Sequence, residues 1–243
     1  MHTKTIGIVG GMGPFAGVDV HKKIYENTIA RQDDEHFDVV CLSFAQDIPD
    51  RTDFLLGKST ANPGPVVAQK ISAYPIDILG VACNTFHGAP IFDAFTDKLK
   101  ESNPDLNLLH LPQEVLRAVQ EGYHQAKIGV LCTVGTYGTG LYQEALKNVP
   151  VDLVFPSAAG RAAIQQVITN PEWGIKQHAA LTATAREVLE QEVEALGKLD
   201  AVLLACTELP LIVNAMDWGC AVLDTNRILA RALIREADAT RLK

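Results

Sequence analysis

The segment Asp77–Cys83, with the sequence DILGVAC, recurs as Asp200–Cys206, with the sequence DAVLLAC. A second pair of segments, Ile6–Val9 (IGIV) and Ile128–Leu131 (IGVL), has nearly the same separation: residues 6 and 128 are 122 apart, and residues 83 and 206 are 123 apart. Each segment is a short apolar run, which is typical of a strand covered on both faces. The repeat therefore predicts two similar halves, with chance likeness between apolar strands as the alternative.

Apolar runs alternate with longer helical patterns along the whole chain. Strands are predicted at Thr5–Val9, Asp38–Leu42, Ile78–Ala82, Leu106–His110, Lys127–Leu131, Val151–Val154 and Ala201–Ala205. Helices are predicted at Phe15–Arg31, Pro65–Tyr74, Pro90–Lys100, Gln113–Tyr123 and His178–Ala195. This alternation predicts an α/β fold of two pseudo-symmetric domains, each a mostly parallel sheet flanked by helices, with the active site in the cleft between them. We expect residues 1–112 and 216–243 to form the first domain, to which the C-terminal helix returns, and residues 113–215 the second.

Charge and composition narrow the class of partner. The net charge of the 243 residues is −8, which argues against nucleic acid and anionic membranes, since both need a basic face. A small anionic substrate remains compatible if a few cations are set apart in a pocket. The five cysteines show no CxxC or zinc-type spacing, which predicts free thiols and no metal site. No leader-like or membrane-length apolar segment is recognisable, so we expect a cytoplasmic protein.

The two repeated strands each end in a cysteine, Cys83 and Cys206. Ligand sites in open α/β sheets lie beyond the carboxyl ends of strands, so both thiols are predicted to flank one ligand. Asn84, Thr85 and Thr207 follow them and are good helix N-capping types. A helix N-terminus can hold a carboxylate and lower a thiol pKa. A buried, inert thiol is the alternative for a lone cysteine, and it is our prediction for the remaining three, Cys41, Cys132 and Cys220.

Five segments carry a family resemblance: IGIVGGMGPFAG at 6–17, IPDRT at 48–52, ACNTFH at 82–87, VGTYGTGLYQ at 134–143 and ACTELP at 205–210. With these motifs the chain resembles the aspartate racemase branch of the aspartate/glutamate racemase superfamily. The resemblance implies a two-domain α/β fold and a homodimer. It also implies racemisation of an amino acid without pyridoxal phosphate, metal or any other cofactor, with one thiol on each face of the substrate Cα.

The resemblance assigns further roles to single residues. Cys206 would take the proton from the L-enantiomer and Cys83 from the D-enantiomer. The α-carboxylate or ammonium would be held by Asn84, Thr85 and Thr207, with Met12 of the GGMGP loop lining the same end and Thr133 as a further candidate. His87 matches the motif after the first cysteine, with a structural role as its alternative. Phe86 replaces the smaller residue that is more usual in the family, which leaves the shape of the pocket open.

Two cations point to the substrate. Arg51 and Lys176 resemble the positions that hold the side-chain carboxylate of the substrate in aspartate racemases. The planar guanidinium of arginine suits two-pronged recognition of a carboxylate. A solvated surface charge is the alternative for each of them. Aspartate is therefore the predicted substrate, and glutamate, one methylene longer, stays open.

Other classes of protein compete with this hypothesis. The loop Gly10–Pro14 allows a nucleotide-dependent oxidoreductase, but Cys41-Leu42-Ser43 at the tip of the second strand offers no acidic residue for a ribose. Glutamate and hydantoin racemases, maleate isomerases and decarboxylases share the fold, although a decarboxylase needs only one cysteine. A two-lobed protein that binds an amino acid without catalysis is the non-enzymatic alternative, and the paired cysteines argue against it.

Overall fold

The computed structural model describes residues 4–243 and contains two parallel four-stranded sheets. The first sheet consists of β1 (Ile6–Gly10), β2 (Val39–Ser43), β3 (Ile78–Val81) and β4 (Asn107–Leu108), in the order β2-β1-β3-β4. The second consists of β5 (Lys127–Leu131), β6 (Asp152–Val154), β7 (Ala201–Leu204) and β8 (Ala221–Asp224), in the order β6-β5-β7-β8. The two orders are equivalent, so the α/β fold of two pseudo-symmetric halves is confirmed.

Helices connect the strands, as parallel pairing requires. They are α1 (Pro14–Asn27), α2 (Arg51–Leu55), α3 (Pro63–Ile71), α4 (Ala89–Ser102), α5 (Leu111–Gly122), α6 (Val134–Gly138), α7 (Leu141–Ala145), α8 (Ala158–Thr169), α9 (Ile175–His178), α10 (Ala183–Ala195) and α11 (Thr225–Asp238). Short 3₁₀ helices lie between these elements or after the last of them, at Asp33–Glu35, Thr85–His87, Leu209–Ala215 and Ala239–Arg241. Within the described residues, no helix is both long enough and apolar enough to cross a membrane.

The repeat seen in the sequence is a repeat of hydrogen bonding. Strand β1 pairs with β3, and β5 pairs with β7 in the corresponding way. Beyond the paired segments, the Ala82 N–H donates to a carbonyl of β1 at 2.9 Å, and the Ala205 N–H donates to a carbonyl of β5 at 2.8 Å. The next residue in each half is the cysteine of the repeat. The fold thus places both cysteines at equivalent carboxyl ends of strands.

Alternation of side chains along the strands distributes them among three apolar clusters. Ile8 of β1 and Val130 of β5 belong to one cluster, which also contains residues of α1, α5 and α11. Val9 belongs to a second cluster with α3 and α4, and Leu131 to a third with α8 and α10. Because the first cluster includes both sheets, the two halves share a core, which favours a fixed cleft between them.

The C-terminal part of the chain changes the expected domain boundary. Strand β8 was not predicted; it pairs with β7 and so belongs to the second sheet. The following helix α11 packs against α1, α5 and β3, on the side of the first half. An ion pair of 2.8 Å between Lys23 of α1 and Asp224 supports this return. Assigning all of 216–243 to the first domain was therefore wrong for 221–224, and the rest of the division stays a proposal.

Among the helix ends that differ from the prediction, the end of α1 and the start of α10 differ most, for local reasons. Helix α10 begins at Ala183 rather than His178, because Thr182 caps it by accepting from the Ala185 N–H. Helix α1 ends at Asn27, since Thr28 is extended and its hydroxyl donates to the Ile24 carbonyl instead of continuing the helix.

Candidate active site

A cavity of about 310 Å³ between the two halves brings together all nine of the predicted site residues. From the first half come Met12, Arg51, Cys83, Asn84 and Thr85. From the second half come Thr133, Lys176, Cys206 and Thr207. Both thiols are nearly buried, with 5% of each cysteine exposed. Two thiols from equivalent strand ends thus line one cavity.

The thiol of Cys206 lies against a buried carboxylate. Its S–H donates to Glu208 Oε2 at 2.9 Å, and Glu208 is 3% exposed. Burial, and then the charge and hydrogen bond of Glu208, raise the pKa of Cys206 well above its ordinary value. The expectation of a lowered thiol pKa was therefore wrong for Cys206, because desolvation and a like charge outweigh any helix dipole.

The helix starts expected after the cysteines are weak. The helix after Cys83 is a 3₁₀ turn at Thr85–His87, and Asn84 makes no side-chain capping hydrogen bond there. The segment after Cys206 is the 3₁₀ helix Leu209–Ala215, also without a side-chain cap. The capping roles predicted for these positions were wrong, since the side chains bond elsewhere.

Arg51 is nine-tenths buried at the start of α2 and lines the cavity. Its Nη2 donates to the Met12 carbonyl at 2.9 Å and its Nη1 to the Pro49 carbonyl at 3.4 Å. Within residues 4–243, Nε has no hydrogen-bond partner and no carboxylate forms an ion pair with the guanidinium. A buried cation without a counter-charge favours an anion in the cavity.

Lys176 in α9 approaches the same cavity from the second half. Its Nζ lies 3.8 Å from Glu208 Oε1, and its side chain is 28% exposed. Its charge is thus shared with a carboxylate of the protein. Lys176 is correspondingly less available to a substrate than Arg51.

Two side chains that were predicted to bind substrate, those of Thr207 and Asn84, form hydrogen bonds with other parts of the protein. The Thr207 hydroxyl donates to the Ala82 carbonyl at 3.1 Å, across the two halves. The Asn84 amide donates to the Thr225 hydroxyl at 3.5 Å, and its Oδ1 accepts from the Tyr142 hydroxyl. These bonds fix the loops on which the cysteines stand. Tyr142 was missed by the sequence analysis, because its contact lies 58 residues away along the chain.

Three hydroxyls form a second contact between the halves. Thr85 Oγ1 lies 3.0 Å from Thr133 Oγ1 and 2.8 Å from Thr136 Oγ1, and the last two are 3.0 Å apart. Thr133 also caps α6 by accepting from the Thr136 N–H. Thr85 and Thr133 therefore line the cavity as parts of a hydroxyl cluster, to which Thr136 contributes from beneath.

His87 and Phe86 lie behind the cavity and do not line it. His87 Nδ1 donates to the Cys83 carbonyl at 2.9 Å. Burial, and then the charge of His110, lower the pKa of His87 to about 3, so the ring is neutral near pH 7. Phe86 packs edge-on against Phe95 in the core of the first half, so its size does not set the shape of the cavity.

The comparisons with known proteins agree with the fold. A glutamate racemase of Listeria monocytogenes is 31% identical over 156 residues, which are 62% of this chain and 53% of that protein; the chain thus spans about half the length of the curated relatives of this kind. The Broad specificity amino-acid racemase RacX of Bacillus subtilis is 24% identical over 242 residues, 94% of this chain and 96% of RacX.

Among solved structures, Picrophilus torridus aspartate racemase superposes with a TM-score of 0.80 and 28% identity, covering 99% of this chain and 96% of that one. The Asp/Glu/Hydantoin racemase family description matches residues 9–233. The resemblance drawn from the sequence motifs is thus confirmed at the level of the family. With two equivalent strand-end cysteines and a match over nearly its whole length, the chain belongs to the Asp/Glu/Hydantoin racemase family.

Proposed function

We propose that the protein is an amino-acid racemase that interconverts L- and D-aspartate without pyridoxal phosphate. Cys83 and Cys206 are its two acid/base groups. The observation that carries the proposal is the shared cavity, which is lined by both cysteines and by an Arg51 guanidinium that has no carboxylate partner among residues 4–243. The names of the P. torridus and B. subtilis relatives support racemisation as the reaction.

Racemisation removes the α-proton on one face of Cα and delivers a proton to the other. One group cannot easily serve both faces, so one cysteine starts as thiolate and the other as thiol. With the L-enantiomer, the Cys206 thiolate takes the Cα proton and Cys83 donates its S–H proton to the opposite face. The D-enantiomer reacts in the reverse sense. The weak acidity of Cα–H makes a fixed, largely dehydrated site necessary, which the loop-to-loop hydrogen bonds favour.

Substrate binding divides the cavity by charge. Arg51 holds the side-chain carboxylate, and Lys176 adds a second positive charge that Glu208 partly offsets. Asn84, Thr85 and Thr207 surround the α-carboxylate and ammonium, with the backbone of these loops as further donors. Met12 and Thr133 complete the wall. A homodimer, which the resemblance implies, and a cytoplasmic location, which the sequence predicts, stay expectations, to be tested by light scattering and by cell fractionation.

The decisive experiment is exchange of the Cα proton in D₂O, followed by NMR, with L- and D-aspartate separately. We expect deuterium at Cα and formation of the opposite enantiomer from both, with full activity in the presence of a chelator. Binding of aspartate with no exchange from either enantiomer would leave the non-catalytic binding protein as the better hypothesis.

Broader specificity is the second candidate, and the match to RacX over 96% of its length favours it. Glutamate belongs to this candidate as well, since the Listeria relative is a glutamate racemase. The same D₂O experiment over a panel of amino acids separates the two. A preference for aspartate over alanine and glutamate supports the first candidate, and equal exchange across the panel supports the second.

A further inference from the structure

Glu208, in the segment ACTELP, is a buried carboxylate at the cavity, beside one of the two thiols. Its Oε2 accepts the Cys206 S–H at 2.9 Å, and it lines the cavity that the two thiols share. A buried carboxylate is costly unless both oxygens are satisfied. The other oxygen, Oε1, therefore needs partners of its own.

The GGMGP loop and Lys176 hold Glu208 Oε1. The Gly13 N–H donates to it at 2.9 Å, and Lys176 Nζ lies 3.8 Å away. A Cβ at residue 13 would lie 2.7 Å from Oε1, so the loop needs glycine there to bring its N–H to the carboxylate. These contacts hold Oε1, so Oε2 is left facing the Cys206 thiol.

The corresponding position in the first half is built differently. Two residues after Cys83 stands Thr85, as Glu208 stands two residues after Cys206. The Thr85 hydroxyl contacts Thr133 and Thr136 instead of the Cys83 sulfur. The pseudo-symmetric halves therefore supply a carboxylate to one thiol and a hydroxyl cluster to the other side of the cavity.

Each turnover leaves the two thiols in the wrong ionisation state for the next one. After L-aspartate has reacted, Cys206 carries an extra proton and Cys83 lacks one. Before another L-aspartate can react, Cys206 must lose its proton and Cys83 must gain one. Cys206 is 95% buried, and its S–H already points to Glu208.

We propose that Glu208 is a positioning residue that carries the proton of Cys206 between the thiol and water in the cavity, and so resets Cys206 between turnovers. In the step, the Cys206 S–H bond breaks, its electron pair stays on sulfur, and an O–H bond forms at Glu208 Oε2. Glu208 then gives the proton to water and returns to the carboxylate. The reverse sequence supplies the proton for D-aspartate. This inference rests on the proposed racemase function.

Replacing Glu208 with glutamine tests the proton transfer, because glutamine keeps the shape but cannot carry the proton. We expect kcat to fall about 100-fold in both directions, the low end for loss of a group that transfers protons. The loss in kcat should exceed any change in kcat/KM, because the rate of resetting limits kcat, whereas kcat/KM depends on the equilibrium fraction of free protein that has the right ionisation. Glu208→Asp keeps a carboxylate and should recover part of kcat.

A second readout follows the thiol without any turnover. The rate of alkylation by iodoacetamide is measured at Cys206 and at Cys83 by peptide mass spectrometry, as a function of pH. Removing the charge of Glu208 should move the Cys206 profile to lower pH and leave the Cys83 profile in place. Glu114→Gln is the matched control, since Glu114 is also buried, paired with Arg235 at 2.9 Å, and lines a different cavity. It should change neither profile nor kcat.

The outcomes separate the two proposals. Wild-type kcat in Glu208→Gln, or an unmoved Cys206 profile, overturns the role of Glu208 even if the wild-type protein is an active racemase. Equal losses in kcat and kcat/KM with no recovery by Glu208→Asp also overturn it. A wild-type protein that exchanges no amino acid removes the racemase proposal, while the alkylation profiles still measure whether Glu208 controls Cys206. If Glu208→Gln fails to fold, Glu208→Ala removes the same charge and the same proton carrier, so its kcat and its alkylation profiles provide the two measurements.

Discussion

Replacing Arg51 with alanine removes the buried guanidinium that lacks a carboxylate partner among the described residues. A substrate carboxylate that enters this cavity loses water and needs a charge partner. Loss of one partner of such a pair costs about 2–5 kcal/mol. We take the low end, because two of the three guanidinium nitrogens already donate to backbone carbonyls. The expected loss in kcat/KM for aspartate is therefore about 30-fold or more.

The assay compares Arg51→Ala with the wild type on aspartate, glutamate and alanine. Alanine as substrate has no side-chain carboxylate, so the loss of kcat/KM for alanine measures only the support that Arg51 gives to the Met12 loop. Lys58→Ala is the control, since Lys58 lines the same cavity but its side chain is 66% exposed. It should change kcat/KM less than about 3-fold, as expected for a solvated charge.

An equal loss on all three substrates would refute the reasoning. It would mean that Arg51 serves the loop through its bonds to Met12 and Pro49 and does not select the substrate. The kcat/KM for glutamate should also fall in Arg51→Ala, since a pocket discriminates one methylene by only about 1–3 kcal/mol.

Three further predictions use other groups. Cys83→Ser and Cys206→Ser should each abolish racemisation, while the remaining thiolate still exchanges the α-proton of one enantiomer. NMR in D₂O should show that enantiomer to be L-aspartate in Cys83→Ser and D-aspartate in Cys206→Ser; exchange of the same enantiomer in both variants would contradict the assignment. Burial lowers the pKa of His87 to about 3, so as pH falls the imidazole gains a proton in the unfolded protein before it does in the folded one. The free energy of unfolding should therefore drop by about 2 kcal/mol between pH 7.5 and 5, and by less in His87→Gln. Burial raises the pKa of Cys132 to about 12, so stability should be lost as pH rises above 9, by about 1 kcal/mol at pH 10; urea titrations of Cys132→Ala should show a smaller loss.

The sheets could be predicted because their central strands are nearly continuous apolar runs, as in β1 and β7. The repeat then fixed which strands correspond. Strand β8 was missed although the apolar run Cys220–Leu223 marks it, since that run is only four residues long. Helix α8 was also missed, although its buried residues Gly160, Ile164, Val167 and Ile168 have the spacing of one helix face.

The lining of the cavity could be predicted from positions at strand ends. The partners of those residues could not, because they depend on contacts between distant parts of the chain. Gly13 and Glu208 are 195 residues apart, and Thr207 reaches a carbonyl 125 residues away. A local pattern of N-capping residues suggested helix dipoles there, whereas the side chains are used to bind the two halves together.

The asymmetry around the thiols is compatible with a symmetric reaction. The enantiomers have equal free energies, so kcat/KM must be the same in both directions, whatever the two pKa values are. A raised pKa of Cys206 can only change which ionisation state of the free protein accumulates. The state with Cys206 as thiol is the one that D-aspartate needs, whereas L-aspartate needs the thiolate. A carboxylate beside Cys206 that carries protons sets the rate of this interconversion, and that rate enters kcat but not kcat/KM.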